Sequence, residues 1–204
     1  MAELSKVRFG LAKAYYAVIK TDGTYETPVA IPGAVSLDLN REGSEPTTFW
    51  ADNIAYYVTP AANGGYTGTF NFAIVPDSFK VDVLGEVVDD NGMQVEVADA
   101  TTKSFALLYE VEGDADKKRY VFFNCTAQRV APGANTKSDS TNPDTQDLEF
   151  AAIGKDFTFD GETKNIVKGS AEEAATAFAG WYTAVPTPTK GATGETGDTT
   201  YWPS

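Results

Sequence analysis

The sequence contains no histidine, which removes the commonest general base and the commonest transition-metal side-chain ligand together. It has one cysteine, Cys125, so neither an intrachain disulfide nor a cysteine-built zinc site can form. Cations are scarce: 16 Lys and Arg stand against 29 Asp and Glu, a net charge of −13. No basic stripe of the kind that clamps phosphates is present, and acidity of this size favours solubility and repels nucleic acid. There is no GxGxxG and no Walker loop. The stretch Met1 to Gly10 lacks the apolar run of a secretory signal, and no later run has the length of a membrane span. A chain made and folded in a cytoplasm, with no membrane partner, is the expectation.

What is present is apolar material for a core, 42% hydrophobic and 12% aromatic in 204 residues, enough for one β-rich domain. The most regular stretch is Ser104–Glu112 followed by Lys118–Arg129, two alternating runs of about ten residues across a polar loop. They predict a long hairpin that serves as the spine of the fold. In its first half Phe105, Leu107, Tyr109 and Val111 share one face, while Ala106, Leu108, Glu110 and Glu112 share a second, more acidic one. In its second half Val121, Phe123, Cys125 and Ala127 alternate with Tyr120, Phe122, Asn124 and Thr126.

Earlier strands are expected over Val7–Leu11 and Ala14–Lys20, with a turn at Asp22-Gly23, and through the alternating Val35, Leu37 and Leu39. Residues 40–54 read as a long loop that carries two large aromatics, Phe49 and Trp50. Those rings either serve assembly or fold back onto their own core. A hairpin is expected between Ala55–Thr59 and Tyr66–Val75. Pro76-Asp-Ser-Phe79 starts a short helix that Gly85 limits, with Asp77 or Ser78 as its cap. Residues 131–144 form a second breaker-rich loop, and Thr145–Ala152 a further strand. Ser170-Ala-Glu-Glu173 has the pattern of a capping box, predicting a helix through Ala174, Ala175 and Phe178 up to Gly180. After Pro186 the chain is rich in Pro, Thr and Gly. Residues 1–185 are therefore read as the β domain and 186–204 as a flexible tail.

The only catalytic material is acidic. Glu110 with Glu112, and Asp147 with Glu149, lie two residues apart on strands, about 6–7 Å by strand rise, a spacing compatible with glycoside hydrolysis. Acids on the wet face of an acidic sheet produce the same pattern, and that reading is preferred. The acid-rich turns Asp89–Gly92, Asp114–Asp116 and Asp160–Glu162 lack the full calcium-loop spacing. Cys125 reads as a buried, inert thiol. No enzyme activity, cofactor or metal is expected.

The order and spacing of several segments carry a family resemblance. They are Lys6-Val-Arg-Phe-Gly10, Pro28-Val-Ala-Ile-Pro-Gly-Ala-Val-Ser36, Phe49-Trp-Ala-Asp-Asn53, Asp77-Ser-Phe79 with Val83-Leu-Gly85, and Leu108–Gly113 running on to Arg119–Thr126. The chain resembles the major tail proteins of long-tailed bacteriophages, the phi13-type family that forms the tail tube. The resemblance implies an antiparallel β-sandwich or half-barrel with one or two flanking short α-helices. It implies six-subunit rings stacked into a tube through which DNA passes without specific binding, in a virion tail assembled in the bacterial cytoplasm. The implied partners are further copies of the chain, the tape-measure protein and the tail terminator and distal tail proteins. An acidic sheet face would then line the channel, with Glu110, Glu112, Asn124, Asp147 and Glu149 expected there by alternation. Assembly loops at 40–54 and 131–144 would carry Glu42, Phe49, Trp50, Asn135, Lys137 and Asp139. A different class of function stays open from the residues alone. It is a β-sandwich binding module for carbohydrate or a cell surface, with Phe49, Trp50, Trp181 and Trp202 as its aromatic platform.

Overall fold

The computed structural model describes residues 10–112, 117–131, 133, 144–159 and 161–189. The fold is mainly β and antiparallel throughout its pairings, with a short helix packed against it. Its strands in chain order are β1 (Leu11–Val18), β2 (Val29–Ile31), β3 (Ala34–Glu42), β4 (Thr47–Ala51), β5 (Ile54–Thr59) and β6 (Gly65–Phe72). The helix α1 (Asp77–Phe79) widens into a π-helical turn over Lys80–Leu84 before β7 (Val87–Val88) and β8 (Gln94–Val95). Then come β9 (Phe105–Val111), β10 (Arg119–Ala127), β11 (Gln146–Ile153), β12 (Lys155–Phe159), β13 (Glu162–Ile166) and β14 (Lys168–Ala171).

The main sheet runs β2-β1-β9-β10-β11-β6-β3, and the expected spine β9–β10 lies at its centre. β10 serves two neighbours on one side: Arg119–Phe122 pair with β14, and Asn124–Ala127 pair with β11. The sheet therefore divides at Phe123, whose N–H reaches the Val167 carbonyl instead of a ladder partner. A bulge in the β9–β10 register between Phe122 and Cys125 resets the alternation. Phe122, Cys125 and Ala127 consequently share the larger core with Phe105, Leu107 and Tyr109, whereas Val121 and Phe123 face the other way. Simple alternation along β10 had placed Phe122 apart from Cys125 and Ala127.

Two apolar layers result. The larger one fills one side of the sheet, where Phe70, Phe72, Phe105 and Leu148 are fully buried together with Phe79 of α1. Tyr16 stands edge-on to Phe79, and its hydroxyl donates to Asp82 at 2.8 Å. The helix is capped neither by Asp77 nor by Ser78; Pro76 takes the cap position with no side-chain bond, and Gly85, in the left-handed region, ends the turn as expected. The second layer lies on the opposite side, with Ala17, Ala106, Leu108, Val121 and Phe123 under Trp181 and Val185.

That cover corrects the reading of the C-terminal part. The capping-box helix does not form: Ser170 and Ala171 are in β14, and only a 3₁₀ turn over Thr176–Phe178 follows. Pairing with β10 takes those residues into the sheet, a tertiary gain that outweighs a weak helical propensity. From Glu172 to Val185 the chain then crosses this second face as a strap, held by its buried Trp181.

Candidate assembly surfaces

This second face of the sheet is covered over β1, β9 and the start of β10, and among the described residues nothing covers it over β11, β6 and β3. On the bare half, register places Asp147 beside Asn71, Glu149 beside Thr69, and Asp38 and Asn40 beside Thr69 and Thr67. Asn71 donates to Asp147 at 2.6 Å, and the Thr67 hydroxyl donates to Glu42 at 2.7 Å. Asp38, Glu42, Asp147 and Glu149 are exposed there, and among the described residues of these strands the surface carries no Lys or Arg. Thr126 continues it on β10, and Asn124 stands at its edge, half-buried, with Oδ1 lacking a partner. Four of the acidic or amide positions expected on a solvated sheet face thus divide as follows: Asp147, Glu149 and Asn124 lie on this surface, and Glu112 is exposed at the end of β9 beside Lys13.

Glu110 does not behave as expected. It is 3% exposed, and its carboxylate takes hydrogen bonds from Arg119 Nε at 2.7 Å, Lys13 Nζ at 3.0 Å and the Tyr182 hydroxyl at 3.1 Å. The Arg119 guanidinium is stacked on Phe178 and Tyr182, 3.6 and 4.7 Å from the ring centroids, and donates to the Phe178 carbonyl. Burial works to raise the Glu110 pKa, but the hydrogen bonds from Arg119, Lys13 and Tyr182 prevail and hold it below the usual carboxylate range. The strap brings Phe178 and Tyr182 over the site, which is why period-2 alternation alone put this carboxylate in solvent. A buried, neutralised Glu110 and an exposed Glu112 do not make the paired acids that glycoside hydrolysis needs. Among the described residues no group of three or more Cys, Asp and Glu is placed to hold a metal ion. The Asp89 carboxylate is instead spent on its own turn, accepting from the N–H groups of Asn91 and Met93. Cys125 is buried, and burial pushes its thiol pKa up, away from reactivity.

The region expected as the long loop 40–54 is an arm. β3 continues to Glu42, and β4 pairs with β5, not β5 with β6, so the predicted 55–75 hairpin is replaced by two nested ladders. They are joined by Gly64 N–H to the Glu42 carbonyl and Ala62 N–H to the Ser44 carbonyl, making one extended β-hairpin from Ala34 to Phe72. At its root a Cβ on Gly43 would collide with the Ala62 carbonyl oxygen, and one on Gly65 with that of Ala152. Both have positive φ, 149° and 99°, so glycine lets the strands approach there. At the tip Asp52 and Asn53 both have φ near the left-handed region, 51° and 62°, the geometry of a two-residue hairpin turn. That Asp-Asn pair between apolar runs was the available sequence signal.

Phe49 and Trp50 do not fold back onto the core. Phe49 stands opposite Tyr57, and with Trp50, Ile54, Tyr56 and Val58 each is more than half exposed, Tyr56 by 69%. A contiguous apolar surface of this kind marks an interaction site. Trp181, by contrast, is a core residue, so the platform that combined it with Trp50 does not exist; Trp202 lies outside the described residues. Asn135, Lys137 and Asp139 also lie outside them, as does the chain after Thr189.

No curated protein matches the chain. A family model described as phage tail tube protein matches residues 5–194, nearly the whole length and both surfaces just described. The chain belongs to the phage tail tube protein family.

Proposed function

We propose that the chain is the repeating subunit of the tail tube of a long-tailed phage, of the phi13-type group, and that it associates into six-membered rings stacked along one axis. The observation that carries the proposal is the bare half of that sheet face, where among the described residues carboxylates and hydroxyls stand without a cation. Turned toward a common axis, such a face gives a polyanion nothing to bind, so DNA slides past it. The arm supplies the complementary requirement, an apolar surface that stays exposed until another copy covers it. A contact between two different surfaces of one molecule closes into a ring or repeats along an axis, as a tube needs. Copies of the chain are then its main partners, with the tape-measure, terminator and distal tail proteins at the bore and the ends, and the virion tail is its location.

Negative-stain electron microscopy of the purified chain tests this. Rings or tubes are expected as concentration rises, and a monomer that persists at high concentration would count against the proposal. Within tubes, changing both Asp147 and Glu149 to Lys is expected to create salt-sensitive DNA retention where the unchanged tube has none. Equal retention by both would remove the channel role of this face.

A further inference from the structure

A second apolar surface lies apart from the arm. β2 pairs with β1 only through Ala14–Tyr16, and the chain then turns at Pro32-Gly33 into β3, which pairs with β6 instead. The strand that leaves one ladder for the other opens a wedge between the start of β1 and β3. This wedge is a groove of about 480 Å³, and Leu11, Val35, Leu37, Leu39, Val111 and Tyr120 are among its lining residues. Among the described residues no charged side chain lines it. Val35 and Leu39 on its wall are exposed, and β3, the end strand of the sheet, flanks it with a backbone edge that has no ladder partner among the described residues.

We propose that this groove receives the β4–β5 arm of a second copy of the chain. The proposal rests on the self-association put forward above and specifies which surface accepts the arm. A chain cannot fill its own groove with its own arm, because Leu39 and Phe49 lie ten residues apart along one extended hairpin, about 30 Å by strand rise. The charge pattern selects among the surfaces of a second copy. Between Glu42 and Pro76 the chain carries Glu42, Glu45 and Asp52 and no Lys or Arg. The acidic bare half of the sheet face repels such an arm, and a groove with no charge among its described lining residues does not. The chemistry of contact matches as well: Phe49, Trp50 and Tyr57 bring aromatic surface to an aliphatic and tyrosine wall of suitable volume. The free edges of the β4–β5 hairpin and of β3 allow the arm to add as a strand, so that backbone bonds set its register. The contact is heterologous, arm to groove, and repeats without limit or closes into a ring.

The test uses two altered chains. One carries Trp50→Ser and Tyr57→Ser in the arm, and the other Val35→Glu and Leu39→Glu in the groove. Each alone is expected to need at least about tenfold higher concentration to assemble, the scale of losing an aromatic anchor. Mixed one to one, they are expected to stop at a dimer, because one supplies only a groove and the other only an arm. A mixture that stays monomeric while the unchanged chain forms tubes overturns the groove assignment and leaves the tube proposal standing. An unchanged chain that never associates overturns both. Thiol labelling gives a readout that does not depend on the acidic groove chain folding. A Val35→Cys chain should label in the monomer and be protected in tubes, with Cys125 buried and silent. Oxidised with a Trp50→Cys chain, it should form a disulfide between two chains. Tubes in which Val35→Cys labels as fast as in the monomer overturn the proposal. So does protection that is already complete in the monomer, because the groove would then not be open to a second copy.

Discussion

Glu110 with Glu112 and Asp147 with Glu149 are the same pattern in sequence, acids at alternate positions of a strand, yet the two halves of one sheet surface treat them oppositely. On the half that the strap covers, Glu110 is buried among Arg119, Lys13 and Tyr182. On the bare half, Asp147 and Glu149 remain exposed, and Asp147 accepts a hydrogen bond from the Asn71 amide. A carboxylate near an apolar layer is tolerated if cations and donors surround it, and it then holds the cover in place. A carboxylate on an uncovered face costs little and stabilises little, which leaves it available for function. The same acidic composition thus performs two jobs, one inside the subunit and one at its surface.

Removing the cover is expected to produce the largest change. Trp181→Ala should cost about 4 kcal/mol in urea unfolding, the range for a fully buried large aromatic. A loss under about 1 kcal/mol would mean that the strap is not part of the folded unit. Next comes the clamp beneath it. Glu110→Ala should cost about 3 kcal/mol, since Arg119 loses its buried partner, whereas Glu112→Ala should stay within about 0.5 kcal/mol. Equal effects at the two sites would dissolve the contrast between them.

The pH dependence of the clamp sharpens the comparison further. In the fold the Glu110 pKa lies below the ordinary glutamate value that it has in the unfolded chain. Its stabilising contribution is therefore fully present above that ordinary value and is lost as the pH falls through the lower folded value. The gap in thermal midpoint between the unchanged chain and Glu110→Gln should be widest near neutral pH and close in acid. A gap that widens on acidification would contradict the assignment. The smallest effect belongs to the bare face: Asp147→Asn with Glu149→Gln should shift unfolding by less than about 0.5 kcal/mol. Any larger shift would mean that these acids also serve the subunit's own stability.

Much of the body was legible from residue order. The β9–β10 spine, the short helix ended by Gly85, the strand carrying Leu148 and Phe150 and the buried Cys125 all stand where hydrophobic period and turn residues placed them. Errors arose where a residue's fate depends on something distant in sequence. Ser170 and Ala171 are strand, not helix, because β10 offers them a free edge. Phe122 joins Cys125 because of a bulge, which alternation cannot register. The arm escaped notice because its aromatics stand on both faces of a two-stranded ribbon, so that no period separates a dry side from a wet one.

By itself the sequence determined a β-rich acidic chain without the side chains for histidine or thiol chemistry, and it determined the strand faces, since a period of two is built into the backbone. Only the tertiary structure decided which acidic face is solvated. Covering is a long-range event: a strap anchored by Trp181 closes over Glu110 from seventy-two positions away, at Tyr182, while among the described residues nothing crosses Asp147 and Glu149. It also decided that Phe49 and Trp50 point outward, because a ribbon held at its root by Gly43 and Gly65 extends beyond the reach of its own core.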